Sequence, residues 1–586
     1  MKILVNHIGY NIGSPKYAVV EISDKEIKNH YKLPQKTFLK LQNDGMVITE
    51  IKLEKFENVP GWNDRHFCRI DFSEINIPGR FYFEITYGSS AEESYKSEYF
   101  EIADNILTEK TLNSLMLFFR SMRSADKYDR KDYRIPVYGS EHIQKDVHGG
   151  WYDASGDYSK YLSHLSYTNY MNPQQTPLLV WQLMDSLENL KGVEEYAEEF
   201  REAFILEALH GADFLVRMQS NQGYFYMILF DKWSKELEMR KLCSYTTQEG
   251  IYNENYQAAY RQGGGMAIAA LARASMGECD GEFSRNDYLN AAEKGFIHLE
   301  EHNIEYLNDK KENIIDDYCA LFAAVELFNA TGKTDYRIAA EKRKNSLINR
   351  LASDMNFSNW LRADDNGDIP FFHASDAGLP VLSIIRYLEV FFGESALAAN
   401  TPENGSDAVD FLEKYLKFEL EITESITNPF TLARQYVKPL NEEKKDAFFI
   451  PHNNWSGYWW QGENSRLASL AAAAWKAEKY LSDPELRKNL NTYAWSQINW
   501  ILGLNPYNTC MLTGKGHNNV QYERYWRNLD GGIVNGVTAD MNGECDIAFL
   551  PEPEGNDPNH RWRWSEQWLI HSGWFAEAVC VSTGKD

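Results

Sequence analysis

Residues Asn255–Ser275 read NYQAAYRQGGGMAIAALARAS, and this stretch decides the larger part of the fold. Its apolar residues recur at helical spacing, and its alanines permit close approach of neighbouring helices. The pattern returns at Asp316–Gly332 (DDYCALFAAVELFNATG) and at Gly462–Leu481 (GENSRLASLAAAAWKAEKYL). It begins with TLNSLMLFFRSMRSA, Thr111–Ala125, and continues to the C-terminus, broken by long loops rich in Gly, Asn, Asp and aromatics. Roughly a dozen such segments without strand signals predict a toroid of paired helices, whose loops at one end build a cleft. No tandem repeat is visible.

Upstream of about residue 103 the period is that of strands. KYAVVEI and, after the Ile77-Pro78-Gly79 turn, RFYFEITY alternate as a β-sandwich requires. The chain therefore divides into a sandwich over residues 1–103 and an all-α domain over 104–586, a multi-domain arrangement that 586 residues exceed one compact core enough to demand.

Sixty Lys and Arg against 85 Asp and Glu leave a net charge of −25, which repels nucleic acid and anionic membrane as main partners. No stretch approaches the ~20 apolar residues of a membrane span. The opening MKILVNHIGY runs into strand alternation without a secretory pattern, so a cytoplasmic location is expected. Seven scattered cysteines with no C-x-x-C pair read as reduced thiols rather than disulfides or a zinc site. His148 has no second ligand at metal spacing, and Gly263, Gly264 and Gly265 lack the context of a phosphate loop. No metal and no cofactor are expected.

Two stretches carry chemistry. In DVHGGWYDASGDYSKYLSHLS, Asp146–Ser166, Asp153 and Asp157 lie four apart in a glycine-rich loop that lets both acids converge on one water. The alternative is that one caps a helix and the other ties the loop. In HRWRWSEQWLIHSGWF, His560–Phe575, Glu566 sits among Trp562, Trp564, Trp568 and Trp574, surroundings that desolvate a carboxyl and keep it protonated as a general acid. Alternatively the tryptophans are core and Glu566 pairs with Arg561 or Arg563. A neutral acid beside an ionised one is what hydrolysis of a glycosidic bond needs. Trp151, Tyr152, Trp459, Trp460, Trp526 and Trp562 are candidates to stack on sugar rings, with burial in the core as the competing role.

These segments together resemble glycoside hydrolase family 9 along nearly the whole chain. VNHIGYNIGSPKYAVV (5–20) is similar to the first strands of the family's immunoglobulin-like domain, and GGWYDASGDYSKY (149–161) to its G-G-W-Y-D-A-G-D-x-x-K-Y signature. LGLNPYNTCMLTGKG (502–516) resembles the block around L-G-x-N-P, placing Asn505 beside the cleft, and SEQWLIHSGWFAEA (565–578) stands where the acid motif belongs. The resemblance implies an N-terminal immunoglobulin-like β-sandwich and an (α/α)6 barrel that inverts the anomeric centre. It implies Asp157 as general base, Asp153 holding the water and Glu566 as general acid.

Two departures bear on substrate. Asp153-Ala154-Ser155-Gly156-Asp157 carries one residue more than D-A-G-D, and HNNVQYERYW (517–526) replaces P-H-H-R. With these departures the chain is similar to a bacterial subgroup of exo-β-D-glucosaminidases acting on short β-1,4-linked amino-oligosaccharides. A carboxylate in the first subsite would favour a terminal ammonium over a hydroxyl, with Asp153 the first candidate and Glu463 the second. For Glu463 the plainer role is a helix-start acid paired with Arg466. The rival readings are a cellodextrin-cleaving β-glucosidase or endoglucanase-like enzyme and a non-catalytic carbohydrate-binding protein.

Overall fold

The computed structural model describes residues 1–29, 33–87, 93–165, 168–365, 367–393, 405–455, 462–520, 528–540, 546–549 and 562–585. Strands fill the chain up to Ala103 and the first long helix starts at Ile106. One sheet of the sandwich aligns Lys2–Leu4, Tyr17–Ser23 and Arg65–Asp71. The other orders Tyr10–Asn11, Phe100–Ala103, Gly79–Tyr87, Lys36–Leu41 and Val47–Lys52, with Glu93–Lys96 also on Gly79–Tyr87.

Alternation along Tyr17–Ser23 divides that strand between two cores. Ala18 and Val20 pack inside the sandwich with Phe81, Phe83 and Ile85, whereas Val19, with Phe67 and Trp62, joins the core of the helical domain. Trp62 meets Phe448 and Trp500 at ring separations of 5.1 and 6.1 Å, and the His7 N–H donates to the Leu502 carbonyl at 2.9 Å. The sandwich is thus fused to the barrel by buried apolar surface.

Twelve long helices make up the barrel among the described residues: α1 (Ile106–Ser121), α2 (Thr176–Leu190), α3 (Glu194–Arg217), α4 (Gly264–Ser275), α5 (Arg285–Tyr306), α6 (Ile314–Thr331), α7 (Thr334–Ile348), α8 (Leu379–Phe392), α9 (Ser406–Thr423), α10 (Asn464–Ala477), α11 (Pro484–Ile501) and α12 (Leu569–Ser582). The even-numbered helices form a closed inner ring in chain order, α12 packing back on α2, and each odd-numbered helix backs one of them. This is the (α/α)6 barrel. Inner helices are apolar nearly all round, as helices enclosed by others must be. Close approach depends on small residues: a Cβ on Gly265 of α4 would lie 2.8 Å from Cys319 of α6. None of the described helices is long and apolar enough to cross a membrane.

Two features were not expected. The helix predicted over Asn255–Ser275 begins only at Gly264, because Gly263 takes a left-handed φ of 99° and the residues before it form a 3-10 turn at Tyr260–Gln262. The barrel also carries a small sheet, Ser140–Lys145, Ile135–Val137, Lys241–Thr246, Ile228–Phe230 and Lys160–Tyr161, with Ile251–Asn253 on Lys241–Thr246. Its strands come from two long loops and are too short to show a period in sequence.

Toward the ends of the inner helices, each contributes one charged side chain to a buried floor: Asp185 (α2), Arg273 (α4), Glu326 (α6), Arg386 (α8), Lys476 (α10) and Glu577 (α12). Arg273 lies 3.0 Å from Asp185 and 3.4 Å from Glu326, Arg386 lies 2.8 Å from Glu326, and Lys476 pairs with Asp185. Burial pushes the Glu577 carboxyl up to about 8, so it is protonated at neutral pH.

Candidate active site

The acids predicted from sequence gather at the opposite end, where α12 begins. The Asp153 N–H donates to the Ser159 carbonyl at 3.0 Å and the Asp157 N–H to Ala154 at 3.2 Å, which folds the loop into a tight arch with both carboxylates on it. A second set of bonds zips this arch to the segment bearing Glu566. Ser155 N–H donates to the Gln567 carbonyl at 2.8 Å, Gln567 N–H to Ser155 Oγ at 3.1 Å, and Leu569 N–H to the Asp153 carbonyl at 2.8 Å. The extra residue Ser155 is therefore the stitch that holds the Asp153–Asp157 arch and the Glu566 segment together.

Asp157 is 5% exposed and both its oxygens are taken. Oδ1 accepts the Ser159 N–H at 2.8 Å and Oδ2 accepts the Tyr161 hydroxyl at 2.9 Å. Burial, then the neighbouring Asp153 charge, raises its pKa above the ordinary aspartate value. Asp153 is 2% exposed; its Oδ2 lies 3.4 Å from His164 Nδ1, and its Oδ1 has no hydrogen-bond partner among the described residues. The His164 ring is wedged between Tyr161 at 4.7 Å and Trp568 at 4.5 Å.

Glu566 is half-buried, and the Trp568 indole N–H donates to its Oε2 at 2.8 Å. Desolvation pushes its carboxyl up to about 8; the Trp568 bond opposes this and the charges of Asp157 and Asp153 add to it. It holds its proton at neutral pH, as a general acid must. The site thus combines a protonated carboxyl with two buried aspartates.

The expected sugar-stacking residues fare differently. Trp151 is fully buried, its indole N–H donating to Glu207 at 3.2 Å, and Gly211 leaves it room, since a Cβ there would meet its ring at 2.4 Å. It is a core side chain, which corrects the expectation of a platform. Tyr152 also turns inward, its hydroxyl accepting the Ala125 N–H at 3.0 Å and its ring packed edge-on against Tyr158 at 4.8 Å. Large aromatics gain most from burial, and here that role won. Asn505 is fully buried and donates to the carbonyls of Trp500 and Thr509, both at 2.8 Å, bracing its own loop.

Glu463 is 2% exposed and its oxygens are taken by Arg466 at 2.6 Å, the Ile450 N–H at 3.0 Å and Gln435. It is a structural ion pair, not a free carboxylate for an amine. Trp562, one helical turn before Glu566, accepts the Glu566 N–H through its carbonyl at 3.2 Å. Trp459, Trp460 and Trp526 lie outside the described residues.

Several site residues were not singled out from sequence. Ser159 and Tyr161 lie in the quoted loop, but only the arch reveals that they serve Asp157. Asp231 lies far off in sequence and arrives through the small sheet, where Lys160–Tyr161 pairs with Ile228–Phe230. Among the described residues no group of three or more His, Cys, Asp and Glu is gathered to hold a metal ion.

The family model of glycosyl hydrolase family 9 matches residues 109–525, well over half of the chain. The chain belongs to this family. The match includes Asp153 and Asp157 and ends before Glu566, while the model of the cellulase N-terminal Ig-like domain matches residues 1–90. No curated protein sequence matches the chain.

Solved structures of family 9 proteins share the fold. A metagenome-derived family 9 endoglucanase superposes with a TM-score of 0.66 at 16% identity over 99% of this chain and 98% of the other. A thermostable endoglucanase variant from Alicyclobacillus acidocaldarius gives 0.65 at 15% identity over the whole of both chains. Endoglucanase CelQ from Clostridium thermocellum, complexed with cellotriose, gives 0.50 at 16% identity over 81% of this chain and 70% of the other.

Proposed function

We propose that this family 9 glycosidase removes β-linked glucosamine from the non-reducing end of short chitosan-type oligosaccharides, inverting the anomeric centre. Glu566 gives its proton to the glycosidic oxygen as the bond to the anomeric carbon breaks. Asp157 takes a proton from a water that forms the new carbon–oxygen bond on the opposite face. The proton on Asp157 then returns to solvent, and Glu566 is reprotonated.

The observation that carries the amino-sugar reading is the buried Oδ1 of Asp153, which has no hydrogen-bond partner among the described residues. A buried carboxylate oxygen demands a donor, and an ammonium group satisfies it better than a neutral hydroxyl. A second reading is favoured by the cellotriose complex of CelQ: a neutral cellodextrin substrate, with Asp153 engaged only with water. We extend the proposal to a cytoplasmic location, where imported oligosaccharides are met; the six described cysteines, all free thiols, accord with it.

Specificity constants for aryl β-glucosaminide, aryl N-acetyl-β-glucosaminide and aryl β-glucoside decide between the readings. A strong preference for the free amine supports the first. Equal or faster cleavage of the glucoside would move the protein to cellodextrins.

A further inference from the structure

Behind the base lies a third carboxylate that the reaction as written does not use. Asp231 is fully buried at the end of the strand Ile228–Phe230. Its Oδ1 accepts the Ser159 hydroxyl at 3.2 Å, and its own N–H donates back to that hydroxyl at 3.4 Å. Ser159 is the residue whose N–H holds Asp157 Oδ1 at 2.8 Å. A single serine therefore grips the base with its backbone and Asp231 with its side chain.

We propose that Asp231 is a positioning residue for the base, fixing Asp157 through Ser159 and strengthening it as a proton acceptor with a buried negative charge. The inference rests on Asp157 being the base.

The surroundings keep that charge from being quenched. Arg240, the cation facing Asp231, has its Nη1 3.9 Å from Oδ2, beyond hydrogen-bonding reach. It is committed instead to Asp132, with Nε at 2.8 Å and Nη2 at 2.7 Å, and to the Tyr158 carbonyl at 2.8 Å. Lys160 is likewise spent on Asp132 at 2.7 Å. Both cations are thus drawn to Asp132, and Asp231 Oδ2 has no hydrogen-bond partner among the described residues.

The other groups facing Asp231 are the Trp233 N–H and, from the neighbouring helix and strand, the phenols of Tyr128 and Tyr252. Burial first, and the Asp157 charge second, push Asp231 up to about 6, so it is ionised at neutral pH and takes a proton as the medium turns acidic. An ionised Asp231 raises the proton affinity of Asp157; a protonated one leaves a weaker base.

The test is Asp231→Asn, which keeps shape and removes charge, with kcat and KM followed from about pH 4 to 9. The expected result is a KM within roughly twofold of the parent, a plateau kcat about tenfold lower, and an acidic limb of kcat/KM displaced downward by about one pH unit. A limb that stays in place, whatever happens to kcat, overturns the proposal, because a merely structural residue would not move it.

Should Asp231→Asn fail to fold, Ser159→Ala decides. Without the serine hydroxyl Asp231 holds its charge less well and takes its proton at higher pH, which leaves Asp157 a weaker base, so the acidic limb again moves downward, and an unmoved limb again overturns the idea. Asp157→Asn, measured alongside, separates the failures: turnover that survives it removes the base assignment itself, whereas its loss together with an unmoved limb defeats Asp231 alone.

Discussion

Tyr161 donates its hydroxyl to Asp157 at 2.9 Å from only four residues along the chain, and it does so fully buried, with no route for the phenol to turn toward solvent. The Asp157 carboxylate is thus held by its own loop, through Ser159 on one oxygen and Tyr161 on the other.

Removing that hydroxyl tests the aim. Tyr161→Phe leaves the ring and its packing against His164 in place and deletes one bond to a charged oxygen, an interaction of about 1.5–3 kcal/mol. A fall in kcat of about tenfold or more with KM little changed is expected in steady-state kinetics. A change confined to KM would mean that Tyr161 contacts substrate instead.

Glu566→Gln tests the proposed acid. Turnover of an unactivated oligosaccharide should drop by about 10²–10⁴-fold while calorimetry still detects binding. In the parent enzyme activity should decline as pH rises through about 8, where Glu566 loses its proton, and decline again in acid as Asp157, raised above the ordinary aspartate range, gains one.

The same carboxyl bears on stability. A group whose pKa is raised on folding contributes stability that is present below its unfolded value of 4.5 and is lost as pH climbs through about 8. Glu566→Gln, which never ionises, should therefore melt at a higher temperature than the parent at about pH 9 and show little advantage at about pH 5. Scanning calorimetry at the two values checks this, and an equal advantage at both would mean that ionisation is not the cause.

Asp153→Asn should separate substrates. If its carboxylate meets an ammonium, cleavage of aryl β-glucosaminide should lose about tenfold or more relative to aryl β-glucoside. Parallel losses on both would assign Asp153 to the water alone.

At the other end of the barrel, Lys476→Met leaves Asp185 with Arg273 as its remaining cation. Breaking a buried pair costs about 3–5 kcal/mol, which chemical denaturation would register, while kcat at 25 °C should be nearly unaffected because the floor lies far from the acids.

The change of period near residue 103 was legible because helix and strand burial impose different spacings on one chain. That Asp153, Asp157 and Glu566 would come together was legible because glycine around the first two, and tryptophan around the third, are local signals. What could not be read was long-range. Asp231 reaches Ser159 across 72 positions through a sheet whose pairing strand at Lys160–Tyr161 is two residues long. Trp151 and Tyr152 were misplaced because an aromatic beside an acid looks the same in sequence whether it faces a sugar or the core. Glu463 followed its plainer role, since Arg466 stood one helical turn away.

Helix α12 does two things that the chain delivers together: it shuts the inner ring against α2, and through Leu569 N–H it pins the Asp153 loop. On the ribosome, the sandwich and α1 to α11 emerge before α12, leaving an open crescent of inner helices with one flank of apolar surface exposed and the floor ions lacking their last neighbour. Until α12 is released, the crescent has neither a closed core nor the Leu569 N–H that pins the Asp153 loop beside Glu566, so closure of the core and completion of the site come in one event. A nascent copy cannot cut sugar early, and a copy stalled short of α12 is recognisable by the apolar flank it still exposes.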